Sequence, residues 1–353
     1  MRELALVGAG RVGSAFLKIW NNREIIVIDP RVPMDSFLGY ALVDEIHAGM
    51  AKVAIVAVPG DIASIKIIEC FEAGMNVVDV SFHNYDCKKL GEIAKKHGCW
   101  YLPDAGFGPG IMNMMCSRLA QAYNPISINA YIGGNPLHRK APWFYKSTWN
   151  SADHLEEYTR PARYIENGAV KTVMPLESDT RIIDVPGVGS MEAFCSDGLR
   201  TLLDNPGTAN MAEFTLRWPG FIDNMKLMWQ SGMLLPGTID HFATGIALSK
   251  QWTPEKDEQD LSVLFVEARV ASDERVRGMR MIHTRDGGEH SSMSWCTAAG
   301  TAAALNMALD AQESLNMAPG LHTIETMVHD SSLFAAYYDI FEQVGIKIVE
   351  YYA

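Results

Sequence analysis

Near the N-terminus, Leu6-Val7-Gly8-Ala9-Gly10-Arg11-Val12-Gly13 carries glycines at the spacing a dinucleotide turn requires. Gly8 permits the sharp turn, Gly10 lets the backbone approach a pyrophosphate, and Gly13 lets a helix pack closely on its strand. The phosphates then lie at the positive end of that helix. Asp29 closes the next apolar run, about 20 residues on, where a carboxylate accepts both ribose hydroxyls. It also repels a 2′-phosphate, which favours NAD over NADP, while Arg31 two residues later softens that preference. The expected cofactor-binding set runs from Gly8 through Ala9, Gly10, Arg11, Val12 and Gly13 to Asp29, Pro30 and Arg31. It continues with Ala57, Val58 and Pro59 after a third apolar run.

Two further segments follow apolar runs, where an open parallel sheet binds its ligands. They are Asp79-Val80-Ser81-Phe82-His83 and Asp104-Ala105-Gly106-Phe107-Gly108-Pro109-Gly110. Asp79 and Asp104 would flank the reactive ring of the cofactor, and His83 would serve as an acid or base. Each carboxylate has an alternative role as a loop or helix cap. Val80, Ser81, Ala105 and Gly106 join the cofactor set, and Phe82, Gly106 and Phe107 the substrate set. Downstream, Arg160, Arg163, Arg200 and Arg217 stand beside aromatics and glycines. A guanidinium fork holds a substrate carboxylate well. The competing role is to pair with Glu156, Glu157, Glu192 or Asp197.

The elements that position these residues change character along the chain. Up to about residue 103, strands near Leu4–Val7, Ile25–Ile28, Val53–Val58, Asn76–Val80 and Trp100–Leu102 alternate with helices, which implies a parallel, doubly wound sheet. Asp61 is placed to cap a helix with Ile62, Ile65, Ile68 and Phe71 on its apolar positions. A helix over Ile111–Tyr123 follows. Beyond it come a strand at Ser127–Ile132, an Asn167-Gly168 hairpin, and strands at Leu261–Val270 and Met279–Thr284. Helical stretches are expected at Met211–Leu216 and Ile222–Gln230. Helices at Ser294–Leu309 and Ser332–Val344 and a strand at Ile346–Tyr351 close the chain. The expected fold class is α/β: a Rossmann-type domain (1–123 plus 293–353) around an inserted α+β domain (124–292) on a mainly antiparallel sheet, for substrate binding and oligomerisation.

The 353 residues are 48% apolar and carry a net charge of −12, with no Lys/Arg cluster to attract nucleic acid or an anionic membrane. Six scattered cysteines lack a Cys-x-x-Cys pair or a histidine at ligand spacing, so no metal is expected. The chain opens in a strand-like run without a small-residue cleavage site, and a cytoplasmic location is expected.

Together these motifs resemble the saccharopine-dehydrogenase-like oxidoreductases, and within them the L-lysine 6-dehydrogenase branch. The resemblance rests on Gly8–Gly13, Val58-Pro59-Gly60, Asp79–Phe82, Asp104–Gly110, and Gly133-Gly134-Asn135-Pro136 leading to Tyr145 and Trp149. It continues through Glu156–Arg163, Glu192-Ala193-Phe194 with Ser196–Arg200, Leu216–Gly220 and Ser291–Ser294. It implies an NAD-dependent amine dehydrogenase, assembled as a homo-oligomer (a dimer), which oxidises lysine at its ε-carbon to a semialdehyde that cyclises. Tyr145, Trp149 and Phe221 join the substrate set, Phe221 standing where lysine-using members have a histidine. A secondary-amine dehydrogenase of the saccharopine or carboxynorspermidine kind, and a non-catalytic NAD-binding protein, are the alternatives.

Overall fold

The computed structural model describes residues 2–21, 24–31, 40–147, 151–255, 257–285 and 288–353. In chain order it runs β1 (Arg2–Val7), α1 (Arg11–Trp20), β2 (Ile26–Ile28), β3 (Ala41–Val43), β4 (Ala51–Val56), α2 (Gly60–Glu72), β5 (Asn76–Asp79), α3 (Cys87–Lys96), β6 (Trp100–Leu102) and α4 (Ile111–Tyr123). There follow β7 (Ser127–Pro136), α5 (Ser151–Thr159), β8 (Ala162–Glu166), β9 (Ala169–Val173), β10 (Arg181–Val185), β11 (Gly189–Cys195), β12 (Met211–Arg217), α6 (Phe221–Gln230), α7 (Ile239–Trp252), β13 (Asp260–Val270) and β14 (Asp273–Arg285). The chain closes with α8 (Ser292–Leu315), β15 (Gly320–Leu321), α9 (Ile324–Met327), α10 (Ser331–Gln343) and β16 (Ile348–Tyr352). It divides into two compact units, Met1–Met114 with Ser294–Ile346, and Met115–Met293 with Lys347–Ala353.

The first unit is built on a parallel sheet in the order β15-β6-β5-β4-β1-β2-β3. Apart from the added β15, this is the Rossmann order, reversing between β1 and β4. Buried Leu6, Val27, Ile55 and Val78 show why these runs are continuously apolar: helices cover both faces of such a sheet. Asp61 does not cap α2. The helix begins one residue earlier with Pro59 at the N-cap, and Asp61 sits in its first turn beside the positive helix end. The buried face of α2 is Ala63, Ile67, Cys70 and Phe71, while Ile65 is 57% exposed. Small side chains at Ala63 and Cys70 let the helix approach the sheet, which the isoleucine spacing alone does not reveal.

The second unit holds a mixed sheet ordered β10-β11-β12-β7-β13-β14-β16. Of these neighbours only β12 and β7 run parallel. Tyr131 stacks between Phe214 and Phe265, with ring centroids 5.3 and 4.5 Å apart. A separate core gathers Tyr145, Tyr158, Phe194, Phe221 and Trp252 around α5–α7. The hairpin β8–β9 turns at Asn167 and Gly168, both with positive φ. Two expectations are corrected. Met211–Leu216 is the central strand β12, not a helix: buried almost throughout, it bonds to β11 and β7, and these ladders override a pattern readable as helical. The final strand, expected within the Rossmann-type part (1–123 plus 293–353), pairs with β14 of the second unit.

Candidate functional site

The loop between β1 and α1 is shaped by contacts only glycine allows. Gly8 has φ +94°, and a Cβ there would come within 2.4 Å of the Ala57 carbonyl oxygen. A Cβ on Gly13 would fall 2.1 Å from the Gly8 carbonyl oxygen. Gly10 differs: among the described residues no atom lies within 4 Å of where its Cβ would stand, and none of their side chains caps α1, which it begins. Open space over an uncapped N-terminus of a ten-residue helix is what a pyrophosphate needs. Arg11 is exposed and Val12 half-buried beside it.

Asp29, at the end of β2, is 3% exposed. Its Oδ2 accepts the Ala9 backbone N–H at 3.0 Å, and its Oδ1 accepts the Arg31 N–H at 3.0 Å and Nε at 3.4 Å. Burial raises its pKa, but these hydrogen bonds and the Arg31 charge outweigh it, and the net shift is downward. Asp29 is thus an ionised buried carboxylate that also ties down the glycine turn. These features fit a dinucleotide. Pro30 and Arg31 are exposed beside it, and Ala57, Val58 and Pro59 are half-buried beyond β4. The Val58 N–H reaches the Ser81 hydroxyl at 3.3 Å, joining two strand ends.

Beyond β5 the structure assembles a buried cluster. Asp79 Oδ1 accepts the Ser81 N–H at 2.9 Å. Its Oδ2 lies 3.0 Å from His83 Nε2 and accepts the Tyr101 hydroxyl at 2.9 Å. His83 Nδ1 accepts the Tyr85 N–H at 3.1 Å, so the neutral ring carries its proton on Nε2 and donates it to Asp79. With both nitrogens engaged and 2% exposure, His83 braces Asp79. Tyr101 is not among the expected site residues; the sequence places it only in the strand Trp100–Leu102. The available signal was that a tyrosine in a buried strand needs a partner for its hydroxyl.

Asp104, just past β6, is buried with φ +59°, and the next N–H, that of Ala105, bonds to the Asp79 carbonyl at 2.9 Å. Gly106 and Gly110 form a bridge, and a Cβ on Gly300 of α8 would meet the Gly106 carbonyl at 2.2 Å. Gly106 and Phe107 are buried in this loop, while Val80 and Phe82 are half-buried and Ala105 is buried.

In the second unit the arginines separate into two groups. Arg163 grips Asp197 with Nε at 2.8 Å and Nη2 at 2.9 Å, and Arg160 Nε lies 3.3 Å from the same carboxylate. Burial foremost depresses the Arg160 pKa, and the charges of Arg200 and Arg163 add to this against the pull of Asp197. Arg200 stands there with φ +44°. This positive cluster suits an anion. Arg217 does not join it: 3% exposed, it binds Glu157 Oε2 at 2.5 Å and the Tyr158 hydroxyl at 3.1 Å, 4.8 Å over the Tyr145 ring. Tyr145 and Phe221 are likewise buried with it in the aromatic core instead of on an accessible wall. Trp149 lies outside the described residues. Glu192 takes the N–H groups of Gly220 and Ile222 at the start of α6.

Comparison with known proteins follows this geometry. Alpha-aminoadipic semialdehyde synthase of Arabidopsis thaliana is 27% identical over 131 residues, 35% of this chain and 12% of that protein. The mitochondrial alpha-aminoadipic semialdehyde synthase of Mus musculus is 27% identical over 111 residues, 30% of this chain and again 12% of the relative. The chain thus spans about an eighth of these curated relatives. Apo histidine-tagged saccharopine dehydrogenase (L-Glu forming) from Saccharomyces cerevisiae shares the fold, with a TM-score of 0.78 over 100% of both chains at 17% identity. The model of the saccharopine dehydrogenase C-terminal domain matches residues 106–346, well over half of the sequence, and the chain belongs to that family.

Proposed function

We propose that this protein is a nicotinamide-dependent oxidoreductase acting on CH–NH₂ or CH–NH donors of an amino-acid substrate. The observation that carries this reading is the open backbone at Gly10 next to the buried, ionised Asp29. A bound nicotinamide would supply the acceptor for the hydride of the amine-bearing carbon. The turn Gly8–Gly13 and the N-terminus of α1 would hold its phosphates, and Asp29 would accept its ribose hydroxyls. Its ionised carboxylate favours NAD, and the guanidinium of Arg31 is the group that would admit NADP. Asp104 is assigned the proton of the substrate ammonium, because the amine must be neutral before hydride can leave. Asp79, braced by His83 and Tyr101, keeps the adjacent strand ends in place. The guanidinium groups near Asp197 supply charge for a substrate carboxylate.

Two substrate readings have support. Oxidation of lysine at the ε-carbon follows from the motif resemblance. A secondary amine of the saccharopine type is supported by the family and by the yeast enzyme that shares the fold. The test is NADH formation by purified protein at alkaline pH, comparing NAD with NADP over lysine, ornithine, diamines and saccharopine. Activity with lysine alone selects the first reading, and activity with saccharopine but not lysine the second. Tight NADH binding with no turnover across the panel overturns the proposal. Within an active enzyme, Asp104→Asn lowers kcat far more than cofactor affinity; equal losses would make Asp104 structural.

A further inference from the structure

A chain of buried oxygens crosses the second unit. Glu213 Oε2 lies 2.7 Å from Ser196 Oγ, which lies 2.7 Å from Thr215 Oγ1, which lies 2.8 Å from Glu157 Oε1. Glu213, Ser196 and Thr215 are each no more than 3% exposed. Three oxygen–oxygen contacts of this length need three protons, one per hydrogen bond. The two hydroxyls supply two. If Ser196 donates to Glu213 and Thr215 donates to Glu157, the middle contact has no proton and two lone pairs face each other.

We infer that Glu213 is a carboxylic acid in the folded protein, holding the third proton at the head of a hydrogen-bonded chain that runs through the Ser196 and Thr215 hydroxyls to Glu157. Glu213 then donates to Ser196, Ser196 to Thr215, and Thr215 to Glu157. Placing the extra proton on Glu157 instead would strip the buried Arg217 guanidinium of its charged partner.

The surroundings agree. Burial, first of all, pushes the Glu213 carboxyl up to about 8, and the charges of Glu157 and Asp197 add to that against the hydrogen bonds from Ser196 and the Gly198 N–H. The Cys195 thiol beside it is raised foremost by burial, and Asp197 adds to the rise while Arg181 opposes it. The cations nearby make their ion pairs with other carboxylates, Arg217 with Glu157 and Arg160 and Arg163 with Asp197. Because Ser196 and Gly198 flank Asp197, the stored proton also clamps the turn that organises the arginine cluster. This inference is independent of the reaction proposed above.

Infrared difference spectra of the full chain between pH 6 and pH 10 test it. The expected result is a protonated-carboxyl C=O band at pH 6 that disappears with a midpoint near pH 8. Glu213→Gln removes the component with that midpoint and leaves only the one of Asp260, whose carboxyl burial pushes up to about 6. Thr215→Val deletes the contact that demands the third proton, so an ionised Glu213 keeps the Ser196 donor at no cost, and the midpoint falls by a unit or more. Absence of the component with a midpoint near pH 8, its survival in Glu213→Gln, or a midpoint unmoved by Thr215→Val would each overturn the inference. Should Glu213→Gln not fold, the wild-type band and the Thr215→Val midpoint still decide it.

Discussion

Gly10→Ala separates cofactor binding from folding. Gly10 has φ −70° and ψ −158°, an extended backbone that alanine adopts without strain, and its added methyl would enter open space. Reduced freedom of the unfolded chain stabilises by about 0.4–1 kcal/mol. Alanine is a poorer N-cap than glycine by a similar amount, so the net change in folding free energy is within about 0.5 kcal/mol of zero. Binding responds differently. The methyl occupies the space through which the pyrophosphate must approach the first N–H groups of α1. Losing one charge-assisted hydrogen bond costs about 1.5–3 kcal/mol, which is roughly a 10- to 150-fold rise in the NADH dissociation constant. Calorimetric titration with NADH, beside thermal unfolding of the same samples, reads both quantities. Gly13→Ala is the control: its methyl would meet the Gly8 carbonyl at 2.1 Å, so it damages the fold as well. An NADH affinity in Gly10→Ala within twofold of wild type, at unchanged stability, would refute the placement of the pyrophosphate over Gly10.

Further outcomes follow from other sites. Arg217→Met leaves Glu157 partly buried without its guanidinium and lowers unfolding free energy by about 3–5 kcal/mol in denaturant titrations; adding Glu157→Gln recovers part of the loss. Arg31→Ala strips the cation from Asp29 and raises the ratio of NAD to NADP affinity about tenfold, read by titrating each cofactor. Asp260, whose carboxylate holds the N–H groups of Ser292 and Met293 at the start of α8, has a pKa raised by burial to about 6 from 3.8, despite those bonds. Its folded pKa exceeds the unfolded one, so the stability it contributes is full below about pH 4 and is lost as pH rises through 6. The span is roughly 3 kcal/mol. In Asp260→Asn the slope of unfolding free energy against pH between 4 and 6 becomes shallower, and an unchanged slope would remove Asp260 as its source.

The dinucleotide turn was legible because its constraint is local. Gly8, Gly10 and Gly13 act through backbone geometry within a few residues, and Asp29 reaches back to Ala9 across a single strand–helix–strand step. The Asn167-Gly168 hairpin was legible for the same reason, since both residues must take positive φ. Apolar runs bounded by helices likewise marked most of the parallel sheet. What the chain could not disclose by pattern is how distant charges pair. Four arginines looked equivalent in sequence, yet Arg217 is consumed by Glu157, 60 residues away, while Arg160 and Arg163 converge on Asp197.

The same division separates Asp79, whose position at a strand end is readable, from Tyr101, whose hydroxyl matters only because β5 and β6 lie side by side. It separates Met211–Arg217, ambiguous as an isolated segment, from β12, which becomes a strand because β11 and β7 offer ladders on both edges. The oxygens of Glu213, Ser196, Thr215 and Glu157 form a chain only once α5 is laid across that strand. Backbone sterics and apolar periodicity act over a few residues and are written into the sequence. The partner of a buried charge or hydroxyl is chosen by packing, because only packing removes water and makes an unpaired group costly.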